Sequence, residues 1–218
     1  MVKKLRPVSD LKGIKPSSLA IALTGDGTWE CAYVLPALVE RFNGADKALL
    51  TPEAYPHVVR GIKTKSRFVG FTILQAIKAY AGTGVNKYLI IVDKEHSNES
   101  GLNDEVKRKL EEYGFQDVRS TSLAKNAVSV ECRHGSHEIC IRVTLSGQNK
   151  CIEENIAELI SLELTINVKP NKNDICNILR GKNLDLKELL RRAKMDNISR
   201  SFPALCAALK SLEASYTP

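Results

Sequence analysis

The stretch Lys87-Tyr-Leu-Ile-Ile-Val-Asp-Lys-Glu-His96 carries the strongest structural signal in this chain. Residues 89–92 are all apolar and rich in β-branched side chains, a pattern that predicts a strand buried on both faces. Two carboxylates, Asp93 and Glu95, follow that strand directly. Because ligands of open α/β sheets bind beyond the carboxyl ends of the strands, we expect a functional site here.

Asp93 and Glu95 are two positions apart, so their side chains would point the same way in an extended segment. Mg²⁺ usually takes one or two carboxylates from a protein and leaves its other positions to water or phosphate. We therefore predict that Asp93 and Glu95 bind Mg²⁺ or Mn²⁺. His96 follows them, and since an ordinary histidine titrates near neutral pH, we predict that it shuttles protons.

An apolar run over Ser18–Thr24 predicts a second central strand, closed by the turn residues Gly25-Asp26-Gly27. Thr28 would cap a helix running to about Phe42, and Pro36 predicts a kink or a shifted start in it. The backbone N–H groups of Gly25, Gly27 and Thr28 are predicted to hold a phosphate at this helix start; the alternative is a tight turn with no ligand.

Further carboxylates lie in the same turn and helix. Asp26 is in the turn and Glu30 is in the first turn of the helix. Both would share a sheet edge with Asp93 if the two strands are neighbours. We predict Asp26 as a further metal ligand and Glu30 as a catalytic residue.

The remaining patterns predict an α/β protein with a mostly parallel sheet, flanking helices, an added antiparallel hairpin and a C-terminal helical region. We predict a basic tail over 1–17, an α/β domain over 18–148 and a helical extension over 149–218. The predicted strands are 48–51 and 117–121, the hairpin is 128–134 with 137–145, and the helices are 68–81, 103–113, 151–164, 184–194 and 199–213, with a linker over 167–174.

The composition favours a polyanionic partner. The 218 residues carry a formal charge of +7 and are 43% hydrophobic, which is enough for a sizeable core. A nucleic acid or a nucleotide is the predicted partner, and a solvated helical face is the alternative explanation of the charge. The predicted nucleic-acid contacts are Lys182, Lys187, Arg191, Arg192 and Lys194.

The six cysteines are scattered, without a CxxC pair, which favours a reduced, cytoplasmic setting. The charged N-terminal residues have no apolar segment behind them, so we expect no signal peptide. No apolar run approaches the ~18 residues of a membrane span, so we expect no membrane partner.

Cys132, His134, His137 and Cys140 resemble four zinc ligands. With Gly135-Ser136 as the hairpin turn, however, Cys132 and both histidines share one face and Cys140 falls on the other. We therefore expect a core-facing Cys132 and two histidines at the hairpin tip, rather than a zinc site.

The order of these parts resembles the Toprim and Toprim-like proteins, including the OLD-type nucleases. In that family a Glu-Gly follows the first strand and an Asp-x-Asp follows the third, and those acids bind Mg²⁺ for nucleotidyl transfer or strand cleavage. Here the matching segments are Ala20-Ile-Ala-Leu-Thr-Gly-Asp-Gly-Thr-Trp-Glu and Leu89-Ile-Ile-Val-Asp-Lys-Glu-His. Thr24 stands in place of the family's Glu, and Glu95 in place of its second Asp.

The sequence thus predicts a Mg²⁺-dependent enzyme that acts on a phosphodiester or nucleotide, similar to a nuclease. One alternative is a non-catalytic module that binds nucleic acid or protein and has a degenerate acid site; Thr24 favours it. Another is a small-molecule enzyme that holds a phosphorylated ligand at residues 25–28.

Overall fold

The protein is an α/β fold built on one mixed sheet. The structure, a computed structural model, describes residues 6–7, 19–25, 29–41, 48–51, 69–81, 84–97 and 101–215. The strands run in the spatial order β1-β3-β2-β4-β7-β6-β5. They are β1 (Arg6–Pro7), β2 (Leu19–Thr24), β3 (Ala48–Thr51), β4 (Lys87–Asp93), β5 (Gln116–Ala124), β6 (Ala127–His134) and β7 (His137–Ser146).

In this spatial order the first five strands, β1, β3, β2, β4 and β7, pair in parallel. The strands β5, β6 and β7 form an antiparallel meander. This confirms the predicted class, a mostly parallel sheet with an added hairpin and a C-terminal helical region. The helices are α1 (Leu35–Arg41), α2 (Ile77–Ala81), α3 (Leu102–Glu112), α4 (Ile152–Leu164), α5 (Lys172–Gly181), α6 (Leu186–Arg192), α7 (Met195–Ser201) and α8 (Pro203–Ala214).

The central strands β2 and β4 are apolar on both faces because helices cover both. Ile21 and Ile90 pack in one hydrophobic cluster with the segment around α2 and with α3. Ala22 and Ile91 face the other way, into a cluster with α1 and the C-terminal helices. Alternate residues of a strand point to opposite faces, so a continuous apolar run fits a strand buried on both sides.

Two of the predicted helices begin in other helical forms. A π-helical turn over Glu30–Val34 precedes α1, and the Leu35 N–H donates to the Glu30 carbonyl. It lies just before Pro36, which has no N–H and crowds the preceding turn, so the predicted irregularity at Pro36 is present. The second helix starts as a 3-10 helix over Gly70–Ala76 and continues as α2.

The strand predicted at 117–121 is present as β5, and it lies in the antiparallel part of the sheet. A β-α-β order would put it beside β4 in the parallel part. Instead β7 occupies that position, and β5 pairs antiparallel with β6 at the outer edge. The short β5–β6 and β6–β7 turns favour antiparallel pairing of consecutive strands, so β5 and β7 lie at opposite ends of this meander and β7 is the one beside β4. The preceding helix begins at Leu102, one residue before the predicted start at residue 103.

The hairpin register is the predicted one. His134 pairs with His137, Cys132 with Ile139 and Val130 with Ile141 across the Gly135-Ser136 turn. Cys132 is buried, and His134 stacks at a tilt on Phe115 with ring centroids 5.2 Å apart.

Cys140 pairs with Glu131, one position out of step with Cys132 in the alternating strand. The two cysteines therefore lie on opposite faces of the hairpin.

The C-terminal region is helical, with two corrections. Residues 172–181 form α5 although 167–174 was predicted to be a linker; the Asn171 side chain accepts a hydrogen bond from the Asp174 N–H and caps the helix. The single helix predicted over 199–213 is split into α7 and α8, because Pro203 starts a new helix at its first position.

These helices pack directly on the sheet, since Ile156, Leu190 and Leu209 share one hydrophobic cluster with Leu89. The division at residue 148 into an α/β domain and a helical extension stays a prediction. Of the predicted basic tail, only Arg6–Pro7 lies within the described residues. None of the described helices combines the length and the apolar character needed to cross a membrane.

Candidate functional site

The candidate site lies where β2 and β4 end. The two strands are parallel neighbours, with Thr24 opposite Ile91. The chain leaves β2 at Thr24 and re-enters a helical turn at Glu30, while β4 ends at Asp93. The expectation that Glu30 lies at the same sheet edge as Asp93 is therefore confirmed.

Glu30 and Asp93 form a buried carboxyl pair. Glu30 is 2% exposed and Asp93 is 8% exposed. Burial raises the pKa of Glu30 well above its usual value, and the charge of Asp93 and the hydrogen bond between the two carboxyl groups raise that pKa further. Glu30 therefore takes up a proton more readily than an ordinary glutamate in water does.

One oxygen of this pair has no hydrogen-bond partner among the described residues. Glu30 Oε2 is buried, and no described residue donates to it. A buried polar atom without a partner is costly, and such atoms are rare enough to need an explanation.

Asp93 is held from the other side by the start of α4. The Ile152 N–H donates to Asp93 Oδ1 over 3.2 Å. The N-terminus of a helix carries partial positive charge, which favours a carboxylate at this point. This contact follows from the sheet order, since β7 ends at Ser146 opposite Asp93 and the chain then leads into α4.

The loop between β7 and α4 is fixed by Glu154. The backbone N–H groups of Gln148, Asn149 and Lys150 all donate to Glu154 Oε2, over 2.7, 2.8 and 3.0 Å. The Lys150 carbonyl in turn accepts a hydrogen bond from the Glu95 N–H over 2.8 Å. The loop is therefore tied both to α4 and to the segment after β4.

Two residues near the pair were not predicted as site residues. Glu153 is half-buried, and its charge contributes to raising the pKa of Glu30. Burial, together with a hydrogen bond to Glu153, raises the pKa of the neighbouring Cys151 to about 12. In the sequence, Cys151 and Glu153 lie at the start of the helix that follows β7. That position indicates a site residue only when β7 is known to lie beside β4.

The predicted side-by-side arrangement of Asp93 and Glu95 is wrong in its geometry. The chain is not extended after Asp93 but turns into a 3-10 helix over Lys94–His96. The two-residue spacing therefore no longer aligns the carboxylates: Asp93 is buried and Glu95 is exposed. The exposed Glu95 carboxylate lies 4.0 Å from His96 Nε2.

His96 lies where three segments of the chain come very close together, at Gly25, Gly70 and His96 itself. A Cβ on Gly70 would come within 2.8 Å of the His96 Cβ, and a Cβ on Gly25 would come within 2.6 Å of the Gly70 carbonyl oxygen. Gly70 itself has φ +54°, a conformation that favours glycine. The end of β2, the start of the 3-10 segment and His96 are thus stacked with no room for side chains at the glycines.

The predicted phosphate contact of Gly25 needs a correction. Its N–H donates to the Ile91 carbonyl over 2.9 Å and so continues the pairing of β2 with β4. That N–H is not available to a phosphate. Asp26, Gly27 and Thr28 lie outside the described residues, and their predicted roles stay predictions.

The predicted basic contacts lie on and around α6. Lys182, Arg191, Arg192 and Lys194 are exposed and Lys187 is half-buried. Arg192 pairs with Glu188 over 2.6 Å.

The helix α6 is anchored to the helix that follows Glu30, because Arg41 Nη1 donates to the Leu190 and Arg191 carbonyls over 3.0 and 3.1 Å. The basic helix and the carboxyl pair are therefore connected through α1.

The arrangement offers hard oxygen ligands but, within the described ranges, no three His, Cys, Asp or Glu side chains are placed to hold one metal ion. Glu30 and Asp93 fit a divalent cation as a two-carboxylate set, since Glu30 Oε2 is buried without a described donor. The donor chemistry suits Mg²⁺ or Mn²⁺ rather than a soft metal.

Comparison of the chain with protein-family models, with curated proteins and with solved structures finds no match.

Proposed function

We propose that the protein is a Mg²⁺- or Mn²⁺-dependent enzyme acting on a phosphodiester or nucleotide, with Glu30 and Asp93 as its central carboxylates. The observation that carries the proposal is the buried carboxyl pair, in which Glu30 Oε2 has no partner among the residues that the structure describes. Two carboxylates held close together out of water repel each other, and a divalent cation held by them would offset that repulsion.

The place of the pair supports the same conclusion. It lies at the carboxyl edge of the parallel strands β2 and β4, where open α/β sheets bind their ligands. Toprim-like proteins have a metal-binding Glu at the position of Thr24. Glu30 is proposed to bind the metal in place of that Glu. Asp26 is proposed as a further ligand.

In the proposed reaction the bound cation would neutralise charge on the phosphoryl oxygens and orient a water or hydroxyl. The chain contributes the positioning: the Ile152 N–H fixes one Asp93 oxygen, and the loop held by Glu154 keeps α4 in place. His96, partly exposed beside Glu95, is proposed to shuttle protons at the rim.

Titration calorimetry with Mg²⁺ and Mn²⁺ tests the metal site. The wild-type protein should show one saturable site, and Asp93→Asn and Glu30→Gln should each weaken it by about tenfold or more. The exposed α3 variant Glu111→Gln is the matched control and should bind as the wild type does. Metal-dependent cleavage of bis(p-nitrophenyl) phosphate, of DNA and of RNA should be lost in Asp93→Asn while its circular dichroism stays unchanged. Unaltered cleavage by that variant would refute the proposal.

A second candidate function is a non-catalytic module that binds nucleic acid through α6. The exposed charges Arg191, Arg192 and Lys194 support it, as does the lack of a three-ligand metal cluster among the described residues. This candidate predicts that Asp93→Asn removes no metal site. It also predicts nucleic-acid binding that weakens with salt and weakens further in Arg191→Gln.

A further inference from the structure

A cleft of about 360 Å³ borders the loop that leads from β7 to α4. Gln148 and Asn149 of that loop line one side, Lys125 and Asn126 of the β5–β6 turn line another, and the start of α8 closes it. The volume is within the range of sites for small molecules. None of these cleft residues belongs to the carboxyl pair.

The start of α8 presents to this cleft backbone donors that have no partner within the helix. The first hydrogen bond of the helix runs from the Cys206 N–H to the Phe202 carbonyl. The N–H groups of Ala204 and Leu205 come before it and have no partner within the helix. Both residues line the cleft, and the Phe202 side chain at the cap position cannot accept a hydrogen bond from them.

Ser201 provides an independent sign of a ligand. It is fully buried, lines the cleft, and its Oγ has no hydrogen-bond partner among the described residues. Its position is fixed, because its carbonyl accepts a hydrogen bond from Asn155 Nδ2 over 2.6 Å while Asn155 Oδ1 accepts one from the Gly147 N–H over 2.6 Å. A rigid, buried hydroxyl beside the backbone donors of α8 suits a ligand oxygen.

The charges around the cleft favour an anion. Arg200 and Lys125 are exposed and line it. The acid in the lining, Glu158, is outnumbered by them and accepts a hydrogen bond from Gln148 Nε2 over 3.1 Å. The partial positive charge at the start of the 12-residue α8 adds to the two cations.

We propose that this cleft binds a small phosphate-bearing ligand, with the phosphate at the start of α8. The N–H groups of Ala204 and Leu205, the Ser201 hydroxyl and the Arg200 guanidinium would contact the phosphate oxygens. The site is independent of the proposed metal chemistry at Glu30 and Asp93.

Titration of the full-length protein with inorganic phosphate and, separately, with adenosine monophosphate tests the site. Saturable binding of either below about 10 mM is expected, and Arg200→Gln should weaken it by about tenfold. The exposed α5 residue Arg180 gives the matched control, Arg180→Gln, which should bind normally. Tighter binding of the monophosphate identifies a phosphomonoester as the ligand, and equal binding identifies free phosphate.

Ser201→Ala separates a binding role from a structural one. Because its hydroxyl has no described partner, truncation should leave the melting temperature without ligand unchanged or higher, while phosphate binding weakens several-fold. The proposal is overturned if neither phosphate nor adenosine monophosphate binds saturably. It is also overturned if Arg200→Gln and Ser201→Ala both bind like the wild type.

Discussion

At the residue scale, the site edge depends on two glycines in direct contact. Gly25 ends the pairing of β2 with β4, and its Cα faces the backbone of Gly70 so closely that a Cβ would lie 2.6 Å from the Gly70 carbonyl oxygen and 2.9 Å from its nitrogen. Backbone atoms cannot move aside as a flexible side chain can. Any side chain at this position must therefore push the two segments apart.

Gly25→Ala should destabilise the fold by about 1 to 3 kcal/mol, the usual cost of overpacking. The control is Gly181→Ala at the end of α5, where an added Cβ meets nothing within 4 Å. That change should be neutral or stabilising by a few tenths of a kcal/mol, because alanine favours the helix. Denaturant unfolding of both variants measures the difference. Equal stability of the two variants would show that the close approach of Gly25 to Gly70 does not affect the free energy of unfolding.

At the element scale, long apolar runs and short turns were the reliable signals. The buried strand ending at Asp93 and the hairpin around Gly135-Ser136 could be predicted because their patterns are local. Glu30 was expected at the sheet edge of Asp93 on the condition that the two strands are neighbours, and β2 and β4 are parallel neighbours.

The signals that failed depend on distant contacts or on weak local preferences. No pattern in residues 93–96 distinguishes an extended chain from the 3-10 turn that exposes Glu95. The part played by α4 at Asp93 requires β7 to lie beside β4, a long-range pairing across more than forty intervening residues. Helix α5 was missed because Pro170 and the asparagines around it favour a turn, although Asn171 also serves as the helix cap.

The buried side chain of Asn155 connects α4 to α7 by a hydrogen bond to the Ser201 carbonyl. Replacing it with alanine leaves the Gly147 N–H and the Ser201 carbonyl without partners, so Asn155→Ala should cost about 2 to 4 kcal/mol. Asn177 is exposed on α5, and Asn177→Ala should change stability by less than about 0.5 kcal/mol. Thermal unfolding monitored by circular dichroism tests the pair of variants. A small effect at Asn155 would mean that water replaces both hydrogen bonds.

At the scale of the whole molecule, two hydrophobic clusters on opposite faces of one sheet stabilise the fold. The buried carboxyl pair destabilises it. The C-terminal helices and α1 cover one face, while the α2 segment and α3 cover the other. Glu30 and Asp93 lie at the edge of this core, where charge is costly. The core thus supplies the free energy that keeps two acids together, and the stability of the metal-free protein should depend on their protonation.

Because burial and Asp93 raise the pKa of Glu30 in the folded chain, folding favours the protonated form. The folded state then binds more protons than the unfolded state, so stability is greatest below the ordinary pKa of 4.5 and declines as pH rises toward the folded value. Glutamine imitates the protonated acid without titrating. Metal-free Glu30→Gln should therefore exceed the wild type in stability by about 1 to 3 kcal/mol at neutral pH, and by less near pH 4.5. Urea unfolding across this pH range, with exposed Glu111→Gln as the control, measures the difference; parallel wild-type and Glu30→Gln curves would show that Glu30 ionises without cost.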